Sequence, residues 1–502
     1  MKNETMTKIR DYCEKHKINI WCISGIIVCF TLGRMGNQHN LELISILVLF
    51  GWMCVFFVNN IKEYYLQCVM MFSFFLFLID RPLIGFLRGY AWWEAYPSAI
   101  HTVLTMIAIL LVTFWGGSLF AKRTANKKSL NICKNKIDIF NNALVKCGTV
   151  VAYILAIGCK CYVEFRQYVE LRNQDYTAMY LGLNLKFPFY VSVLSGISFF
   201  LLAVVLSYNF SKIKSFLFLA LYVLSGSFDF LLGNRTSLMA KILFAVIYYC
   251  IRHFATDRKE VWFGKIEKTL IYVMIPISII GLGIMNYSRS DESIEQQSVV
   301  GIISDFFYKQ GTTFDTVCQG ISLTEQLREE NNLYTLGPIQ DYLNDSTLGQ
   351  VIFGTTPIPD GNNGIRAKEG HDLSHHLSYH VLGEKYLEGH GRGSSFILEI
   401  YMDFGYIGLV IGGFLLGVFC TKVKELCKNQ YLYVVTLIVL TELFMITRSS
   451  ALGIFMFIVQ PQFWVMWVLL ITLYIINQIT VKISYRKQGK IRKYSLEEKR
   501  KD

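Results

Sequence analysis

The stretch Glu388–Leu409, EGHGRGSSFILEIYMDFGYIGL, joins a glycine-rich polar segment to an apolar one. After Asp403 the chain stays apolar for about the length that a bilayer core requires of a helix. Within that apolar part, glycines recur at a spacing typical of helices that pack closely inside a membrane, namely at Gly408, Gly412, Gly413 and Gly417. The stretch therefore predicts a polar loop that leads into a transmembrane helix over 404–420.

The whole chain has the composition of a polytopic membrane protein. Its 502 residues are 53% hydrophobic and only 17% charged, and the mean hydropathy is +0.38. A soluble protein would carry about 25% charged residues. Apolar runs near the length of a span recur along the chain. They predict an all-α protein with about twelve transmembrane helices, at 18–33, 41–58, 64–79, 99–116, 146–163, 187–209, 215–232, 237–251, 269–286, 404–420, 431–447 and 463–480.

The basic residues set the predicted orientation. With twelve spans both termini lie on one side, and about two thirds of the 49 Lys and Arg fall there, which places that side in the cytoplasm. The chain then divides into a transmembrane region at 1–286, a large extracytoplasmic loop at 287–403, C-terminal spans at 404–480 and a basic tail at 481–502. A smaller outer loop covers 164–186.

Two carboxylates, Glu399 and Asp403, lie four residues apart where the loop becomes a helix. Like charges at this spacing weaken a helix, although acids near a helix N-terminus are also favoured by the helix dipole. A rigid helix that holds a carboxylate at the membrane surface suits a general base. We predict that Glu399 lies in the active site, with Asp403 about one turn deeper, where it positions Glu399 or an arginine.

The predicted outer loop contains the histidine-rich segment HDLSHHLSYH, residues 371–380. Its i,i+4 pairs could present two imidazoles to a metal, but no cysteine or H-E-x-x-H pattern supplies the four ligands of a closed zinc site. No metal is therefore predicted. These histidines are either polar residues of an exposed loop or include one that acts on substrate. Because imidazole titrates near neutral pH, His376 competes with Glu399 for the role of base.

Three arginines, Arg235, Arg289 and Arg448, each occur where a predicted span meets the outer surface. Snorkelling to the interface would explain any one of them. Three at one level favour a phosphate-binding site, because guanidinium groups bind phosphate in a bidentate way. His390 and Arg392, in the glycine-rich segment, and Asp403 are assigned to substrate binding as well.

The segment GRGSSFILEIYMDFGYIGLVIGGFLLG, residues 391–417, resembles the signature of the O-antigen polysaccharide polymerase (Wzy-type) family. The resemblance lies in a Gly-Ser-Ser, a Glu and an Asp-Phe-Gly that open a late helix. SHHLSY at 374–379 and YTLGPIQDYL at 334–343 are also similar to that family. Two features depart from the pattern: Arg392 replaces an apolar residue, and the His-Asn pair that opens this helix in related ligases is absent.

The resemblance implies a GT-C-like membrane glycosyltransferase of the bacterial cytoplasmic (inner) membrane. It would move a growing glycan from polyprenyl pyrophosphate to a sugar hydroxyl of the next lipid-linked repeat unit, without cofactor or metal. A flippase and a chain-length regulator would be its partners besides the bilayer, and no nucleic acid is implied. A flippase or transporter, a ligase and a non-catalytic assembly component are the alternatives. Transporters often show internal repeats and polar midplane sites, whereas polar residues gather here at the predicted outer surface.

Overall fold

The computed structural model describes residues 25–26, 28–125, 139–174, 176–181, 185–255, 260–265, 267–269, 271–273, 280, 298–331 and 333–498, and every regular element within them is helical. The prediction of an all-α protein is therefore confirmed for this part of the chain. Among the described residues before 260, seven helices have the length and apolarity of a membrane span. They are α1 (His39–Asn59), α2 (Ile61–Leu87), α3 (Ile100–Thr124), α4 (Ala143–Leu171), α5 (Phe189–Ser207), α6 (Lys212–Leu231) and α7 (Arg235–Phe254).

Eight short helices follow in the described residues between 298 and 395. They are α8 (Val299–Gln310), α9 (Thr312–Ser322), α10 (Thr324–Glu330), α11 (Gly337–Asp345), α12 (Thr347–Phe353), α13 (Arg366–Glu369), α14 (Leu373–Leu382) and α15 (Glu384–Leu387). Three more helices long enough to span complete the chain, namely α16 (Phe396–Leu426), α17 (Gln430–Arg448) and α18 (Pro461–Ile483).

Ten candidate spans thus occur in the described residues, and each coincides with a predicted one. Of the other two predicted spans, 18–33 lies partly outside the described residues and 269–286 lies mostly outside them. The total of twelve spans therefore stays a prediction. The predicted outer loop is described from residue 298 onward as a set of short helices. The side of the membrane on which this loop lies also stays a prediction.

Helix α16 begins at Phe396, eight residues before the predicted start at 404. Hydropathy misplaces the start because two acids interrupt the first turns. The helix is kinked at Gly405, where φ is 61° and ψ is −152°, a left-handed conformation that favours glycine. Near the kink, Arg328 donates from Nε and Nη2 to the carbonyl of Met402 at 3.2 and 2.9 Å.

The glycine face of α16 packs directly on α3. A Cβ added at Gly417 would lie 2.1 Å from the carbonyl oxygen of Phe114, and one added at Gly413 would lie 2.2 Å from Oγ1 of Thr113. No side chain fits at such distances, so only glycine permits the two backbones to approach this closely. The contact fixes α16, and with it the segment that precedes it, relative to the membrane bundle.

Candidate active site

A cavity of about 460 Å³ lies where the short helices cover the ends of α7 and α17. Three of its lining residues are cationic, namely Lys309, Arg392 and Arg448, and none of the described lining residues is acidic. The remaining lining residues are small or polar: Tyr180, Gly233, Asn234, Thr236, Gln310, Asn362, Ser374, His375, Ser378, Tyr386, Gly389, Gly391 and Gly393. The wall is therefore positively charged and rich in hydrogen-bonding groups.

Both predicted outer loops contribute to this cavity. The amide of Asn362 donates to the carbonyl of Tyr180 at 2.8 Å, which joins the larger loop to the smaller one. Gly389 has a φ of 93°, and an added Cβ there would lie 2.5 Å from the carbonyl oxygen of Thr177. The glycine-rich segment thus requires glycine at 389 both for its backbone conformation and for the close approach of the smaller loop.

Arg392 lines the cavity and is held in place by its backbone. Its amide donates to Oγ of Ser378 at 2.9 Å, and its carbonyl accepts from Oγ1 of Thr316 at 3.1 Å. Nε of Arg392 is buried and finds no hydrogen-bond partner among the described residues. A buried donor of this kind is stabilised when an acceptor occupies the adjacent space.

Arg448 is also fixed through the backbone of its segment. Oγ of Ser395 donates to the carbonyl of Thr447 at 2.7 Å, and Oγ of Ser73 donates to the carbonyl of Phe444 at 2.6 Å. No hydrogen bond or ion pair joins the Arg448 guanidinium to another described residue, and this side chain borders the cavity. A guanidinium without a carboxylate partner at an acid-free wall is suited to bind an anion.

Glu399 is fully buried and does not line the cavity. Its Oε1 accepts from Oγ of Ser394 at 2.6 Å, while its Oε2 accepts from Oγ of Ser450 at 2.9 Å and from the amide of Ala451 at 2.8 Å. The carboxyl group therefore links the glycine-rich segment, which carries Arg392, to Ser450 and Ala451, which directly follow Arg448 at the end of α17.

Asp403 lies one turn further along α16 and contacts the covering helices. Its two oxygens accept from the backbone amides of Tyr334 and Thr335 at 2.9 and 2.8 Å. These amides open the short turn that leads into α11, so Asp403 acts as an N-terminal cap from a distant part of the chain. Its observed partners are thus backbone amides, where the sequence had led us to expect Glu399 or an arginine.

The three motifs that carried the resemblance contact one another. Asp341, in YTLGPIQDYL, accepts from the amide of His371 at 2.8 Å and from that of Asp372 at 3.1 Å. A Cβ added at Gly337 would lie 2.1 Å from the carbonyl oxygen of His371. Asp372 then caps α14 through the amide of Ser374. Capped by Asp403, the segment 334–343 thereby fixes the start of α14, whose side chains line the cavity.

His375 is the histidine of α14 that lines the cavity. Its Nδ1 lies 2.9 Å from Oη of Tyr386, which orients the ring. Burial lowers the pKa of His375, because a low-dielectric environment disfavours the charged imidazolium. At neutral pH this imidazole is therefore uncharged and able to accept a proton.

His376 points away from the cavity and is fully buried. Its Nε2 donates to the carbonyl of Gly370 at 2.8 Å, and its Nδ1 lies 3.0 Å from Oη of Tyr334. Burial lowers the pKa of His376, although Glu330, 3.2 Å from Nδ1, acts in the opposite direction. Since its neighbours use both ring nitrogens, His376 links α14 to α10 and to the segment after α13.

Two further predicted site residues, Arg235 and His390, lie next to residues that line the cavity. Arg235 is the first residue of α7, between Asn234 and Thr236, which line the cavity. The positive end of the α7 dipole is thereby directed at the cavity, as in many anion sites. His390 belongs to the glycine-rich segment, and its neighbours on both sides line the cavity. Arg289 lies outside the described residues.

Sequence reasoning did not assign several cavity residues. Lys309, His375, Ser378 and Tyr386 line the wall, yet only His375 and Ser378 belong to a segment that the sequence singles out. The order HDLSHHLSYH does not reveal which histidine faces the cavity, because the rotation of α14 is fixed by contacts with residues far along the chain. Lys309 lacks any local signal.

The family model for the O-antigen polysaccharide polymerase Wzy matches residues 17–482, which is most of the chain. No match was found among curated proteins or among solved structures. The matched range includes nine candidate spans in full, all but the last residue of α18, the covering helices and every described residue that lines the cavity. The chain is therefore a multi-pass membrane protein that belongs to the O-antigen polysaccharide polymerase Wzy family.

Proposed function

We propose that this protein polymerises oligosaccharide repeat units linked to polyprenyl pyrophosphate. The growing glycan leaves its lipid carrier and is joined to a sugar hydroxyl of the next lipid-linked unit. Family membership supports a role as O-antigen polymerase in polysaccharide biosynthesis. The observation that carries the specific reaction is the cavity wall, which has three cations and no acid among its described residues.

The reaction releases a negatively charged pyrophosphate, which the cations of this wall can bind. The bond between the sugar's anomeric carbon and the pyrophosphate oxygen breaks, and its electrons leave with the pyrophosphate. Arg392, Arg448 and Lys309 bind that anion and stabilise the charge that develops on the leaving oxygen. Arg235, at the positive end of α7, joins them in this role, and Arg289 and His390 remain assigned to substrate binding from the sequence.

A base must take the proton of the attacking sugar hydroxyl as the new glycosidic bond forms. Glu399 and His376 were the residues favoured by the sequence, but both are fully buried and neither lines the cavity. We assign the proton to His375, which lines the cavity and whose ring is oriented by Tyr386. Glu399 becomes a positioning residue for the two arginine segments, and His376 and Asp403 become positioning residues for α14.

The cavity lies at the ends of two candidate spans, a position that a lipid-linked substrate could reach from the bilayer. Arg448 ends α17 and Arg235 begins α7, so the cationic wall lies at the ends of candidate spans. A polyprenyl chain would remain in the bilayer while its pyrophosphate reaches this level. We place the site on the extracytoplasmic face of the bacterial cytoplasmic membrane, with both termini in the cytoplasm, in agreement with the distribution of basic residues.

The test uses purified protein and lipid-linked repeat units in detergent. Wild type should yield longer lipid-linked glycans and one free polyprenyl pyrophosphate per new bond. Arg448→Ala and His375→Gln should lose at least about two orders of magnitude in rate, the upper part of what a positioned base or anion contact contributes. Lys385→Ala, an exposed cation on α15 outside the cavity wall, is the control. Movement of unextended units across vesicle membranes, without any longer glycan, would show a transporter and overturn the proposal.

A further inference from the structure

A second polar cluster lies away from the cavity, at the N-terminal ends of α1 and α3. It consists of His39, Glu42 and His101, each of which offers one ligand atom, and these three atoms lie within 4.8 Å of one another. His39 and Glu42 are three residues apart at the start of α1 and so share a helix face. His101, in the first turn of α3, completes the group from a different part of the chain.

Hydrogen bonds within the group leave two buried atoms without partners. Nδ1 of His101 lies 2.8 Å from Oε1 of Glu42. Glu42 is 0% exposed, and its other oxygen, Oε2, has no partner in the described part of the chain. Nδ1 of His39 is likewise buried without a hydrogen bond to any described residue. A buried carboxylate oxygen and a buried imidazole nitrogen are costly when unsatisfied, and both are good ligands for a transition metal.

Surrounding residues orient His101 as they would orient a metal ligand. Oδ1 of Asn37 lies 2.6 Å from Nε2 of His101, and since an amide oxygen only accepts, Nε2 carries the proton. Nδ1 is then the nitrogen available to a metal. Nη1 of Arg34 donates to the carbonyl of His101 at 3.0 Å and anchors the start of α3.

We propose that His39, Glu42 and His101 form a binding site for a divalent transition-metal ion, Zn²⁺ in the first instance. Two imidazole nitrogens and one carboxylate oxygen form a donor set that Zn²⁺ uses with a water in the fourth position, at about 2.0–2.2 Å from each ligand. Binding replaces the proton shared by His101 and Glu42, so the carboxylate and the imidazole both bind through lone pairs. The two unpartnered atoms would thereby be satisfied.

The ion would tie α1 to α3 and would take no part in sugar transfer. None of the three ligands lines the cavity. Helix α3 is the helix on which the glycine face of α16 packs. The ion would therefore stabilise the part of the bundle that supports α16.

The experiment measures metal binding and not only activity. Full-length protein in detergent, with any affinity tag removed and after treatment with chelator, is dialysed against Zn²⁺ at micromolar concentration. Wild type should retain one ion per chain and unfold at a higher temperature than the metal-free protein, because a ligand that binds only the folded state stabilises it. Glu42→Gln and His101→Ala should bind at least about tenfold more weakly, since each loses one of three protein ligands. His253→Ala, an exposed histidine at the end of α7, is the control and should bind as wild type does.

A second measurement, with Co²⁺, uses only the wild-type protein and so does not depend on whether the variants fold. Co²⁺ added to metal-free wild type should give the visible absorption of a four-coordinate ion with nitrogen and oxygen ligands, and Zn²⁺ should displace it. Wild type that retains no ion after dialysis and shows no such absorption would overturn the site. Equal retention by wild type, Glu42→Gln and His101→Ala, all folded, would overturn it as well. Elongation by the metal-free protein should be unchanged, which separates this inference from the proposed function.

Discussion

Oε2 of Glu399 accepts a hydrogen bond from the backbone amide of Ala451 at 2.8 Å. This bond joins the first turn of α16 to the segment just after α17. Together with the bond from Ser394 to Oε1, it places one buried carboxylate between the two segments that carry Arg392 and Arg448. The glutamate that stands out in the sequence thus explains how the cationic wall is held.

The first prediction concerns that carboxylate. In Glu399→Gln an NH₂ group replaces one carboxyl oxygen, so either Ser394 or the pair Ser450 and Ala451 loses its acceptor. Leaving a buried hydrogen-bonding group without its partner costs about 1–3 kcal/mol, so we expect a lower melting temperature and a rate of elongation reduced by about tenfold or more. The loss of elongation rate should result mainly from weaker binding of the lipid-linked unit.

The control for this prediction is Glu388→Gln, which changes an exposed acid in the neighbouring loop. It should leave melting and elongation unchanged. Should Glu399→Gln bind the lipid-linked unit as tightly as wild type while elongation is abolished, Glu399 would act in the chemistry itself and not through the arginines.

The second prediction concerns Asp403 as a cap. Asp403→Ala removes the acceptor of the Tyr334 and Thr335 amides, and loss of a cap costs about 0.5–2 kcal/mol. Hydrogen exchange of these two amides should become faster, and the segment 334–343 should become more sensitive to protease. Asp403→Asn, which keeps one acceptor oxygen, should show an intermediate effect. Unchanged exchange at both amides in Asp403→Ala would contradict this role.

The third prediction concerns pH and His376. Burial lowers the pKa of His376 in the folded protein, while in the unfolded chain it stays near 6.5. As pH falls through that value, the unfolded chain binds a proton that the folded protein does not, so the unfolded state is favoured. The stabilisation is therefore fully present above about pH 6.5 and is lost as the pH falls below it toward the lower pKa of the folded state.

Thermal unfolding in detergent between about pH 8 and pH 5 measures this effect, in the range where histidine titrates. The melting temperature of wild type should fall on acidification. His376→Asn should make this fall smaller, while the part contributed by His375, whose pKa is also lowered by burial, should remain. His380→Asn, at the exposed end of the same helix, is the control and should keep the slope of wild type. A profile for His376→Asn as steep as that of wild type would remove His376 from this account.

The fourth prediction concerns orientation. Single cysteines introduced at the exposed positions Glu384 and Glu260 in a cysteine-free background should differ in reactivity toward an impermeant maleimide. Glu384→Cys, on the covering helices, should react from outside intact cells whose outer surface is accessible. Glu260→Cys, and Lys128→Cys in the predicted cytoplasmic loop outside the described residues, should react only after permeabilisation. The reverse pattern would invert the membrane orientation.

Hydropathy was sufficient to find the spans that the structure describes, because each apolar run has the length that a bilayer demands. It failed at the start of α16, where Glu399 and Asp403 interrupt the run. Their polar groups are satisfied by the serines and amides described above, and one of these partners, Ala451, lies 52 residues away. A local pattern carries no information about such partners, so the helix was predicted to begin too late.

The candidate site was foreseen in part. Arg392 and Arg448, which the sequence assigns to substrate binding, both line the cavity, and their contact with substrate stays a prediction. The orientation of α14 was not visible: His375 and His376 are adjacent, and only the contacts of Gly370 and Tyr334 with His376 turn His375 toward the cavity. Tertiary hydrogen bonds decided between two neighbouring histidines that the sequence alone treats alike.

The central claim is that Arg392 and Arg448 bind the pyrophosphate of the substrate, and affinity for a short-chain polyprenyl pyrophosphate tests it most directly. The double variant Arg392→Ala/Arg448→Ala should bind this lipid at least about tenfold more weakly than wild type, because two charge-assisted contacts are lost. The corresponding double lysine variant should recover only part of the affinity, since a point charge replaces a bidentate fork. Lys385→Ala should bind as wild type does. Equal affinity of wild type and the folded double alanine variant would contradict the claim.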